Sequence, residues 1–88
     1  MTMRIETTSD GQTAVLCLIG RMESQHLDDL RAEVRRHRRR LVLDLDQVTL
    51  VDVAVVRFLI ACEADGIELR NCAPYIRGWM SGEGRRAL

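Results

Sequence analysis

Two short runs of strand-forming apolar residues, Ala14-Val15-Leu16-Cys17-Leu18-Ile19-Gly20 and Leu41-Val42-Leu43-Asp44-Leu45, bracket a stretch in which apolar residues recur every three or four positions. Strand, helix and strand in close succession commit a chain to an α/β layer, because the helix must lay its apolar stripe on the sheet. The helical stretch carries Leu27, Leu30 and Val34 on one side and Asp28, Asp29, Arg31, Arg35 and Arg36 on the other. Ser24 is its expected N-cap and His37 lies near its end, with acids in the first turn and arginines in the last, as the helix dipole favours.

The rest of the chain extends this pattern. Met3 to Thr7 alternates apolar and polar residues, the period of an edge strand with one wet face, and Ser9-Asp10-Gly11 supplies a turn into the apolar run at Ala14. That run does not alternate and reads as a strand buried on both faces. After Leu45, residues 46–51 read as a half-apolar connection. Asp52 then precedes a helical pattern with Val55, Val56, Leu59, Ile60 and Cys62 on one face, and Gly66 is its expected left-handed stop. Ile67 to Asn71 alternates as a fourth strand, and Pro74 opens a last helix whose Tyr75, Ile76, Trp79 and Met80 are expected against the sheet, with Arg85 to Leu88 fraying. The expected fold is one domain over residues 1–88, a mixed sheet of about four strands with three helices in the order β-β-α-β-α-β-α.

Charge and residue counts narrow the function. Thirteen basic and thirteen acidic residues cancel, so no domain-wide field draws the chain to a polyanion, and three aromatic residues make no stacking platform for single strands. Nucleic acid is not an expected partner. The exception in charge, Arg35-Arg36-His37-Arg38-Arg39-Arg40, reads as a solvated helix end or, alternatively, as a local binding patch. Cys17, Cys62 and Cys72 show neither disulfide nor zinc spacing and fit reduced, cytoplasmic thiols. No leader-like or membrane-spanning run is visible, so no membrane partner is expected.

The segment Leu18-Ile19-Gly20-Arg21-Met22-Glu23, and above all Leu41-Val42-Leu43-Asp44-Leu45-Asp46-Gln47-Val48-Thr49-Leu50-Val51-Asp52, resembles the STAS family (sulphate transporter and anti-sigma factor antagonist). Family members typically carry L-x-G-x-L-D after the second strand, then V-L-D-L-S-x-V-x-x-I-D-S-S-G into the second helix. The resemblance spans nearly the whole chain and implies a STAS-like fold and a protein-binding role. The chain departs from the pattern at Val53, Ala54 and Val55, which stand in place of S-S-G. The resemblance therefore implies a module without the antagonists' phosphorylated serine, whose partner would be an anti-sigma-factor-like kinase or another regulator.

Asp52 has the position of an N-cap. Leu50, Val51 and Val53 either pack into the core or form an exposed apolar ridge at the helix start, and such ridges mark interfaces. The expected partner-binding residues are Leu50, Val51, Asp52, Val53 and Ala54, with Phe58 flanking. No catalytic residues, metal site or cofactor are expected. His26 and His37 follow no nucleophile motif, and Asp44, Asp46 and Asp52 lack the turn glycine and closing acid of a metal loop. A non-enzymatic interaction module is the leading expectation. The alternatives are a homo-oligomeric structural domain, since so small a core gains from homodimerisation, and a small-molecule or nucleotide sensor using the sheet mouth near Arg21 and Asp52.

Overall fold

The computed structural model describes residues 3–9, 11–37 and 40–86, with side chains to residue 83. The strands are β1 (Arg4–Ser9), β2 (Thr13–Met22), β3 (Arg40–Val51) and β4 (Glu68–Arg70), and the helices are α1 (Leu27–Arg36), α2 (Val53–Ala64) and α3 (Pro74–Arg86). They form one mixed four-stranded sheet in the order β1-β2-β3-β4. β1 pairs antiparallel with β2, while β2, β3 and β4 run parallel. This is the expected α/β order and fold class.

The core lies on one face of the sheet. Leu16, Leu18, Met22, Leu43, Leu45 and Val51 face Leu30 of α1, Val55, Val56 and Leu59 of α2, and Ile76 and Met80 of α3. β2 is therefore not buried on both faces as its composition suggested. Ala14, Leu16 and Leu18 are fully buried, whereas Val15, Cys17 and Ile19 are half-exposed on a face that no helix covers. Val42, their neighbour on that open face, is nevertheless buried.

β3 corrects a second expectation, because it does not stop at Leu45 but runs on to Val51. Register shifts at Cys17/Ile19 and Gly20/Arg21 let β2 and β3 stay paired as far as Met22 and Val51. Gly20 accommodates one shift with a φ of 92°. β4 pairs only with Val42 to Asp44, so the second half of β3 is a sheet edge, which explains its Asp46, Gln47 and Thr49.

Ser24 is not the N-cap of α1. A single 3-10 turn, Ser24–His26, precedes the helix, capped by Glu23, whose backbone N–H donates to His26 Nδ1 at 3.1 Å. The end of α2 is as expected: Gly66 has a φ of 89°, and the N–H of Ile67 donates to the Cys62 carbonyl at 3.0 Å. In α3, Ile76 and Met80 are buried but Tyr75 and Trp79 face outward, against expectation. Positions 76, 80 and 83 form one stripe and 75 and 79 the adjacent one, and only one stripe can reach the sheet. Arg38 and Arg39 of the arginine run, and the side chains expected to fray at 85–88, lie outside the described residues.

Candidate functional site

Both parallel crossovers enter their helices at the carboxyl ends of β2 and β3, and Asp52 ties those two entries together. Its Oδ1 accepts the N–H of Val55 at 3.0 Å, the N-cap bond expected from the sequence. Its Oδ2 accepts the backbone N–H of Ser24 at 2.7 Å, so one carboxylate satisfies orphan donors of two helical segments. Asp52 is thus an organising residue whose side chain is already spoken for.

Around this anchor the expected site residues divide. Leu50 is 44% exposed and Val53 39%, so these are the outward-facing apolar residues of the run, with Ala54 half-exposed next to Val53. Val51 and Phe58 are 5% and 8% exposed and belong to the core. Of the two placements left open for Leu50, Val51 and Val53, Val51 takes the core one and Leu50 and Val53 the exposed one, and Phe58 lies buried beside Val51's core neighbours. The cause is alternation: Val51 pairs with Met22 on the helix-covered face, while Leu50 pairs with Arg21 on the open one.

Two exposed aromatic residues lie on α3, one of them against the end of β3. The Tyr75 hydroxyl lies 3.5 Å from the Thr49 carbonyl, on the β3 edge that β4 leaves uncovered. Tyr75 is 52% exposed, and Trp79, one helical turn on, is 36% exposed. α3 is held against α2 by ion pairs from Arg57 to Glu83 at 3.2 Å and from Arg77 to Glu63 at 2.8 Å. The signal in the sequence was two of the three aromatics spaced by four, beside an apolar pair with the same spacing.

The acidic residues do not converge. Asp44 accepts the Asp46 N–H and the Asn71 side-chain amide on the open face, well apart in role from the helix cap at Asp52. Burial pushes the Asp44 carboxyl up, but hydrogen bonds from the Asp46 backbone, Asn71 and the Cys17 thiol, with Arg70 nearby, outweigh it and hold it below its ordinary value. Among the described residues no group of three or more His, Cys, Asp or Glu is placed to hold a metal ion. His26 serves the Glu23 cap, and His37 ends α1 with its Nε2 3.8 Å from Glu33. No helix among the described residues is long and apolar enough to cross a membrane.

The family described as "Mlab, STAS domain" matches residues 5–78, most of the chain. The chain belongs to the STAS family. Eight chains of solved structures also match it, among them one described as "Crystal Structure Analysis of Mglu". That chain is 21% identical with a TM-score of 0.60, over 74% of this chain and 18% of the other, and the likeness shows the fold. A search of curated proteins finds no match.

Proposed function

We propose that this STAS domain is a non-catalytic protein-binding module of the anti-sigma factor antagonist type, lacking the serine switch. Its contact surface is the ridge of Leu50, Val53 and Ala54, oriented by Asp52 and extended by Tyr75 and Trp79. The observation that carries the reading is the exposure of two apolar side chains on either side of Asp52, Leu50 near the end of β3 and Val53 at the start of α2. A phosphate at such a position adds almost two negative charges and opposes docking on an apolar surface. With Val53 and Ala54 there, that control is missing, so binding is constitutive or governed by the partner, a kinase-like or other regulator. The free thiols of Cys17, Cys62 and Cys72 suit a reducing cytoplasm.

Affinity capture from the native cytoplasm with wild-type protein and Val53→Asp tests this. The reading expects a regulator retained by wild type and lost by the variant. Recovery of the same proteins by both, or of none, moves the interface away from the start of α2. A complex containing only a second copy of the chain would make the ridge a self-interface.

A further inference from the structure

Toward the C-terminal half of α2, a groove of about 260 Å³ opens against α1. Its apolar lining includes Val34 of α1, Phe58 and Cys62 of α2, and Ile67. Its lip carries Arg31 and Arg35, one turn apart on α1, and Asp65 at the end of α2. Neither arginine pairs with a carboxylate among the described residues, although Arg36 and His37 on the same helix both reach Glu33. Helix-dipole complementarity accounts for Arg35 in the last turn but not for Arg31 in the middle of the helix. Two like charges four apart disfavour a helix slightly, and the one carboxylate on the lip, Asp65, leaves two guanidiniums with a net positive charge over an apolar floor.

We propose that this groove docks an acidic, amphipathic helical segment of a partner protein, whose apolar side chains enter between α1 and α2 while its carboxylates meet Arg31 and Arg35. The volume lies below the range of about 300 to 1,000 Å³ usual for small-molecule pockets and suits a few inserted side chains. An apolar helix face laid in a groove is a common recognition mode, and the paired guanidiniums fix its register through charge. The groove lining shares no residue with Leu50, Val53 and Ala54, so the inference is tested independently of that reading.

The test is fluorescence anisotropy with a short fluorescein-labelled helical peptide bearing leucines on one face flanked by glutamates. Saturable binding is expected. It should weaken roughly tenfold in R31Q/R35Q. Ala61→Tyr, at an exposed position lining the groove, should block it. The charge-matched variant R21Q/R40Q, altered on the open sheet face, should bind as wild type, and melting curves establish that each variant is folded. Absence of saturable binding overturns the proposal, as does equal binding of a peptide carrying glutamines in place of the glutamates or of a scrambled peptide of the same charge. So does undiminished binding by R31Q/R35Q or Ala61→Tyr.

Discussion

Replacing Asp52 by alanine should destabilise the domain through two specific losses. The cap on Val55 contributes about 1 kcal/mol. The bond to Ser24 joins segments 28 residues apart and contributes about 1 kcal/mol more. The sum, about 2 kcal/mol, is a large share of the roughly 4 to 13 kcal/mol available to a chain of this size. At about 4 to 8 °C per kcal/mol for a domain of this length, the midpoint should fall by about 8 to 16 °C. Asp52→Asn, an equally good N-cap with a single acceptor oxygen, should keep the bond to Val55 and lose the one to Ser24, falling by about half as much. Ser24→Pro isolates the second bond: Glu23 has the extended conformation (φ −122°, ψ 166°) that a following proline prefers, so the change removes the N–H with little strain. Thermal unfolding followed by circular dichroism should give a drop for Ser24→Pro of about half that of Asp52→Ala. In the double variant the two losses should be less than additive. An Asp52→Ala protein melting within a degree or two of wild type, or an Asp52→Asn protein as weak as it, would refute the two-bond account.

Three further outcomes follow from the packing and the charges. Because Asp44 is held below its ordinary carboxyl value of 3.8, its contribution to stability is fully present above the unfolded value and is lost as pH falls through the folded one. Asp44→Asn should therefore flatten the decline in melting temperature between about pH 5 and pH 2. Burial pushes the Cys62 thiol up to about 11, so native protein at neutral pH should alkylate there slowly, and denaturant should release the reaction, as peptide mapping of labelled cysteines would show. Ile76→Ala should cost about 2 to 5 kcal/mol in chemical denaturation, whereas Trp79→Ala, on the outward stripe, should cost well under half as much.

The order of elements was legible because the strand and helix periods change cleanly between Gly20, Leu27 and Leu41, and because Asp52 and Gly66 bracket α2 with a cap and a left-handed stop. The extension of β3 to Val51 was not. It depends on register shifts opposite β2 and on the shortness of β4, both of which are tertiary facts. The exposure of β2's second face escaped notice for a related reason: Val15 and Ile19 look like core residues, yet all three helices pack on the other side. At the candidate site, Asp52, Leu50 and Val53 could be named from the motif. Tyr75 could not, since only the fold brings its hydroxyl to the Thr49 carbonyl.

The central claim is that the start of α2 is the surface that engages a partner protein. Photo-crosslinking in the native cell tests it most directly, with the reactive side chain placed at Val53 in one variant and at exposed Ala64, the far end of the same helix, in another. A discrete crosslink to another protein from position 53, absent from position 64, is the predicted result; equal crosslinking from both positions, or none from 53, would contradict it.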